Sequence, residues 1–505
     1  MDRRIRVLAL FLVACFALLF LQLNNLQVAS APKLLANPDQ VAEDAPASPF
    51  SEPRGDIVSA DGVILAETTP STDSYGEQRS YPDGKLFADV TGYYDAVDTT
   101  ETGVEGAYNN VLMQHSSQAN TLRQILTEQT GTDNVVLSVR ADLQNVARQA
   151  LGGRLGAIIA IDPRTGAILA MYGNPTYDPN LLAVHNRAAV EKTVQAISGG
   201  PDAPLTNQVT DHAYQPGSTM KVITTAAMYD HDPALLTMVW PSIGQTKLPG
   251  TSLPLHNFGG EVCGGNLLEI LTVSCDTAYA LIGVQLGPQN LVAEAESFGF
   301  NKQPPIDLND VYGQPDAIKP TIPPASQIGG LPGNPNAGNS VTGYSAIGQK
   351  DDLQTALGNA LVAAAIGDGG TIMTPHVMAH VLNPTGGVVS SYQPHAWLQA
   401  TSATTADAVR TDMLNVALAG TAKGLFPPAD NVAAKTGTAE TAAGCTDNWL
   451  IATGPAGAGQ TPRVAVAAVI PAQPGVACNS QETTGATVAG PAVAQLFTAA
   501  LAATK

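Results

Sequence analysis

The sequence predicts an α+β body in which helices flank a central antiparallel sheet, preceded by a smaller strand-rich module and one membrane-spanning helix. Three observations predict it. Strand-like patterns gather before residue 175 and again after residue 430, while the stretch between them reads as mostly helical, so the sheet should draw on both ends of the chain. A charged tip followed by an unbroken apolar run opens the sequence. Apolar residues are 44% and charged residues 13% of 505, enough for two or three domains with a large core.

The elements follow in order. Arg3, Arg4 and Arg6 precede an apolar run from Val7 to Leu21, extended by Leu23. Its length approaches the roughly 20 residues of a spanning helix, and its positive end belongs on the cytoplasmic side. Ala29-Ser30-Ala31 imitates a signal-cleavage site, but Pro32 would follow the cut; Leu12 to Cys15 imitates a lipoprotein box, but the apolar run continues past it. The expectation is a cytoplasmic tail over 1–6, an uncleaved single-pass anchor over 7–23, and the remainder outside the cytoplasmic membrane. Residues 33–134 mix short strand-like pieces, such as GDIVSADGVILAET from Gly55, with polar loops and form an amino-terminal module without identifiable chemistry. The main domain is expected over 135–505. NVVLSV from Asn134 reads as a strand and DLQNVARQALGG from Asp142 as a helix closed by Gly152. GAIIAIDPRTGAILAMYG from Gly156 is a hairpin pattern with turn residues at its middle. The helical stretch that follows is broken by a Gly/Pro-rich loop from about Gly313 to Asn339, read as lacking regular structure. NVAAKTGTAE, NWLIATG and RVAVAAVI read as consecutive antiparallel strands, and GPAVAQLFTAALAA as a closing helix.

Composition narrows the chemistry. A formal charge of −19, with none of the 24 basic residues in a long run, argues against a nucleic-acid partner. Eight scattered histidines and five cysteines show neither C-x-x-C nor H-E-x-x-H spacing, and there is no phosphate-binding glycine loop, so no metal and no cofactor is expected. An extracytoplasmic body makes disulfides feasible. Cys263, Cys275, Cys445 and Cys478 allow three pairings; the local ones, Cys263 with Cys275 and Cys445 with Cys478 across a hairpin, are expected, with buried free thiols as the other reading.

YQPGSTMKVITTAAM, from Tyr214, sets a serine after Pro-Gly and a lysine three residues on, where a helix begins. Ser218 is either a helix cap with Lys221 a solvated charge, or a nucleophile whose base lies on the same helix face. Two further motifs tip the balance towards the nucleophile. Ser274-Cys275-Asp276 lies between predicted helices, and Lys435-Thr436-Gly437-Thr438 lies on a late strand. S-x-x-K, S-x-[N or D] and K-T-G in that order form a set shared by penicillin-binding proteins and β-lactamases.

At these residues the chain resembles class B penicillin-binding proteins, and more narrowly their actinobacterial A-type branch. RGDIVSADGVILA from Arg54 is similar to the family's R-G-x-I-x-D-R-x-G-x-x-L-A element, and GVEGAYNNVL from Gly103 to its G-L-E-x-x-Y element. IDPRTGAILAMYGNPTYDPN and AIGQKDDLQTALGNALVAAAIGDGG resemble segments flanking the active site. Inside this longer match the Arg54-Gly55-Asp56 adhesion tripeptide carries little weight. The resemblance implies a serine β-lactamase-like transpeptidase domain, peptidoglycan stem peptides as substrate, β-lactam antibiotics as acylating ligands, and glycosyltransferase or division proteins as partners. It implies Ser218 as nucleophile, Lys221 as base, Ser274 and Lys435 as catalytic partners, and Thr436, Gly437 and Thr438 as substrate-binding residues, with the amides of Ser218 and Thr438 forming an oxyanion hole. One position departs: the family's second motif usually ends in asparagine, and here it is Asp276. Ionised, Asp276 would hold Lys221 protonated; protonated, it would donate as an asparagine does. Both readings stay open here, as do two rival activities: a D,D-carboxypeptidase using water as acceptor, and a β-lactam-binding scaffold with weak catalysis.

Overall fold

The computed structural model describes residues 53–113 and 131–504 apart from 99, 201, 332–333, 442–443, 477 and 479–482, together with 15, 16 and 20. By compactness the chain divides into two units, residues 1–52 with 70–77 and residues 53–69 with 78–505; the second holds the fold described below. The expected tail over 1–6, and the anchor over 7–23 save residues 15, 16 and 20, lie outside the described residues. Among the described residues no helix is long and apolar enough to cross a membrane.

The principal strands are β1 (Ile57–Val58), β2 (Ile64–Pro70), β3 (Glu77–Ser80), β4 (Asn134–Leu137), β5 (Gly156–Ile161), β6 (Ile168–Asn174), β7 (Met378–Leu382), β8 (Val388–Ser391), β9 (Ala433–Glu440), β10 (Thr446–Gly454) and β11 (Val464–Ile470). They form two sheets. The strands of the first run in the order β8-β7-β4-β1-β2-β3. There β4 lies parallel to β1, Val135 opposite Ile57, and antiparallel to β7, Val135 opposite Val381. Strands from the start of the chain and from beyond residue 377 therefore share one hydrogen-bonded layer.

The second sheet, β9-β10-β11-β5-β6, is antiparallel throughout and joins the two ends of the sequence as expected. Every residue of β11 and of β5 is buried. Unbroken apolar runs of this kind mark a sheet covered on both faces. The cover comes from α1 (Ala141–Leu151), α7 (Ala356–Gly367) and α9 (Gly490–Ala503). All of α7 is buried, so the helix that reads as apolar all round is the central one. The remaining principal helices are α2 (Arg187–Ile197), α3 (Met220–His231), α4 (Leu267–Thr272), α5 (Asp276–Ser297), α6 (Ser340–Ser345) and α8 (Ala403–Ala419). α5 is broken at Gly287, φ 77°, just before Pro288, whose ring disfavours the helical conformation in the residue ahead of it.

The segment 313–339 differs from its reading as a bare loop. It holds a turn of helix at Ala325–Ile328 and a short hairpin of Gly329–Leu331 with Asn334–Gly338. Glycines conceal the hairpin because they lower strand propensity, yet they also let backbones approach: a Cβ on Gly338 would stand 2.7 Å from the Cα of Val284 in α5.

Arg54 is not displayed for adhesion; it is only 5% exposed. Its Nε donates to Glu105 at 2.6 Å and its Nη2 to the Glu105 carbonyl at 2.7 Å, while Arg79 Nε donates to the other Glu105 oxygen at 2.6 Å. The two family-like elements, one beginning at Arg54 and the other at the short helix Gly103–Ala107, thus meet through one buried carboxylate. The body cysteines pair Cys263 with Cys275, Cα to Cα 5.8 Å, and Cys445 with Cys478, 4.9 Å.

Candidate active site

Ser218 lies in a 3₁₀ turn, Gly217–Thr219, that runs directly into α3. Gly217 has φ +53°, its N–H bonds the Gly348 carbonyl at 2.9 Å, and a Cβ there would stand 2.8 Å from the Thr438 carbonyl, so glycine alone fits between the turn and β9. Trp449 of β10 anchors the approach by donating from Nε1 to the Gln215 carbonyl at 2.8 Å. Neither the 3₁₀ turn nor α3 begins with a side-chain cap, and among the described residues the Ser218 hydroxyl makes no hydrogen bond. The half-buried hydroxyl is therefore not consumed as a helix cap.

Lys221 is not a solvated charge: it is 0% exposed, in a helix whose residues from Met220 to Met228 are all buried. Its ammonium donates to the Ser274 carbonyl at 2.6 Å, the Ser274 hydroxyl at 3.1 Å and Asp276 Oδ1 at 2.6 Å. Tyr279 of α5 lies 5.5 Å from it, ring face towards the charge, and bonds Thr225 at 2.7 Å.

The second motif occupies the link between α4 and α5. Ser274 has φ +60°, a conformation costing about 1–2 kcal/mol for a side chain other than glycine. Two features hold it there: the Cys275 N–H bonds the Ile270 carbonyl at 2.8 Å, and the Cys275 sulfur is tied to Cys263. Asp276 opens α5, and its Oδ2 accepts the Phe258 N–H at 3.3 Å.

Lys435 enters from β9, also 0% exposed, and donates to the Ser274 hydroxyl at 2.8 Å and the Thr436 carbonyl at 3.0 Å. All three motifs converge on one oxygen, Ser274 Oγ. Gly437 is required where β9 meets the serine turn: a Cβ would stand 2.8 Å from the Pro216 carbonyl and 2.9 Å from Thr219 Cγ2. Thr436 and Thr438 alternate with Lys435 and Gly437 along this edge strand, the first sharing a hydrogen bond with Thr421 at 2.7 Å, the second accepting the Gly485 N–H at 3.1 Å. Burial pushes the Lys221 ammonium below the ordinary lysine range, with Asp276 pulling the other way. Burial and then the charge of Lys221 push Lys435 well below it, again opposed by Asp276. Two lysines beside a single carboxylate lower the cost of losing one proton.

The structure thus gathers Ser218, Lys221, Ser274, Asp276, Lys435 and Gly437, and places Cys263–Cys275 directly behind the second motif. Cys445–Cys478 ties the β9–β10 turn to the segment after β11. Phe258, Tyr279, Gly348 and Trp449 also shape the site without having been singled out in the sequence. Phe258 and Gly348 act through backbone atoms, which leave no side-chain signature; Trp449 and Tyr279 read as ordinary core aromatics. Among the described residues no cluster of histidine, cysteine and carboxylate side chains could hold a metal ion.

Comparison with known proteins agrees with this geometry. A family model of the penicillin binding protein transpeptidase domain matches residues 156–498, and one of the penicillin binding protein A dimerisation domain matches residues 54–139. The peptidoglycan D,D-transpeptidase PbpA of Mycolicibacterium smegmatis is 32% identical over 489 residues, which is 93% of this chain and 94% of that protein. The protein of the same name from Mycobacterium tuberculosis is 31% identical over 492 residues, with the same shares. The structure of penicillin-binding protein A from M. tuberculosis as a ceftriaxone acyl-enzyme complex matches with a TM-score of 0.77 at 30% identity, covering 90% of this chain and 100% of that one.

Proposed function

The chain belongs to the penicillin-binding D,D-transpeptidase family, and from that premise we propose that Ser218, Lys221, Ser274 and Lys435 carry out its peptidoglycan cross-linking. The Ser218 oxygen attacks the carbonyl of the penultimate D-alanine of a stem peptide. The new ester forms as the C–N bond to the last D-alanine breaks, and the proton taken from Ser218 by Lys221 returns to that leaving nitrogen. An amine from a second stem then attacks the ester, forms the cross-link and restores the Ser218 hydroxyl. A β-lactam follows the first half only, its ring amide opening onto Ser218. Lys435 binds the substrate carboxylate, and the Thr436 and Thr438 hydroxyls reorient to assist it. The amides of Ser218 and Thr438 hold the oxyanion; one such donor is worth about 2.7–4 kcal/mol in a studied protease.

The observation that carries this reading is the meeting of both buried lysines at Ser274 Oγ, one turn from a serine whose hydroxyl is uncommitted. The apolar run from Val7 to Leu21, behind Arg3, Arg4 and Arg6, supports single-pass anchoring over 7–23 with residues 1–6 inside and the rest outside the cytoplasmic membrane. We assign 33–134 to a pedestal and 135–505 to catalysis, with glycosyltransferase and division proteins as partners. Mass spectrometry after exposure to a labelled penicillin tests the assignment of the nucleophile. The adduct is expected at one per chain on the peptide containing Ser218 and to vanish in Ser218→Ala. An adduct that survives this replacement overturns it.

A further inference from the structure

Asp276 stands where the family's usual asparagine would be neutral, and its surroundings decide its charge. It is the first residue of α5, where unpaired amides favour an anion. Both its oxygens face donors, Oδ1 the Lys221 ammonium at 2.6 Å and Oδ2 the Phe258 N–H at 3.3 Å. This is the environment of a carboxylate, which only accepts.

Lys221 carries the matching signature. An ammonium has three N–H donors, and the structure provides three acceptors: the Ser274 carbonyl, the Ser274 hydroxyl and Asp276. The Ser274 hydroxyl, which also accepts from Lys435, could equally donate to a free amine, so the contact that favours the ammonium is the one with the Asp276 carboxylate at 2.6 Å. The other groups around the pair do not change this assignment. Lys435 faces it from β9 as a like charge to Lys221. Tyr279 presents its ring from α5, and Asp412 of α8 bonds Tyr229 and acts on Tyr279 rather than on the lysine.

Resting on the assignment of Ser218 and Lys221 above, we infer that Asp276 is a positioning residue that keeps Lys221 protonated in the resting enzyme and so sets the pH at which Ser218 is acylated. To serve as base, Lys221 releases its third proton to solvent while Asp276 remains ionised. A carboxylate at 2.6 Å opposes that release; an asparagine of the same shape would not.

The test is the second-order rate of acylation by a penicillin across pH for the full chain, Asp276→Asn, Asp276→Ala and Asp276→Glu, with the thermal midpoint of each recording that it is folded. In the asparagine and alanine variants the ascending limb is expected to move to lower pH by about 1–3 units, the usual effect of an opposite charge at this range. Below both limbs this corresponds to about a tenfold larger free-amine fraction of Lys221 for each unit. Asp276→Glu restores the limb towards its original position. A limb that stays in place, or moves to higher pH, in whichever uncharged variant folds overturns the inference. Loss of the adduct in Ser218→Ala reports separately on the nucleophile, so the two failures are distinguishable.

Discussion

Glu105 is wholly buried, and its fate illustrates how single residues hold this molecule. Burial pushes its carboxyl up, but Arg79 and Arg54 overcome that and hold it below the usual carboxylate range. Removing it in Glu105→Ala would leave two guanidinium groups buried without their counter-ion, a loss expected to cost about 3–5 kcal/mol in denaturant unfolding. A loss below about 1 kcal/mol would show that water replaces the carboxylate. Arg54 and Glu105 were each visible in the sequence as parts of family-like elements, yet their contact was not, and Arg79 carried no signal. The same limit applies in the site. Ser218, Lys221 and Lys435 were legible because their spacing is chemical; the Phe258 N–H was not, since any residue could have supplied it.

At the scale of elements, β9 performs two tasks, delivering Lys435 and lying flush against the turn that carries Ser218. The second depends on Gly437. Gly437→Ala is expected to push Pro216 and Thr219 away and to slow acylation by penicillin about 10²-fold, the cost of an ångström's misplacement at a reacting centre, while Lys435 remains in place. Acylation within a few-fold of the parent would mean that the turn yields without displacing Ser218. The late strands, the early hairpin and α1 with its Gly152 terminus were readable from apolar runs and turn residues. The hairpin at 329–338 was not, because its glycines serve packing against α5 rather than any intrinsic strand preference.

At the scale of the whole molecule, charge and burial set how stability depends on pH. Burial pushes the Asp89 carboxyl up to about 7, against the bond it accepts from Gly173 N–H at 2.8 Å. A group with a raised folded pKa contributes stability that is complete below its unfolded value, near 4, and is lost as pH rises through 7. The thermal midpoint is therefore expected to fall between about pH 4 and 7 and to level off above that, and Asp89→Asn to flatten that fall, by at most about 1.4 kcal/mol per pH unit for the one proton. An identical slope in the variant would assign the dependence to other groups. The sheet in which β4 lies between β1 and β7 has a consequence of a different kind. The front of this protein is not an exchangeable cassette: excising it ahead of residue 138 would strip β7 of its inner neighbour and leave an orphan edge, inviting self-association. Fragments for crystallisation or inhibitor screening should accordingly begin before Arg54.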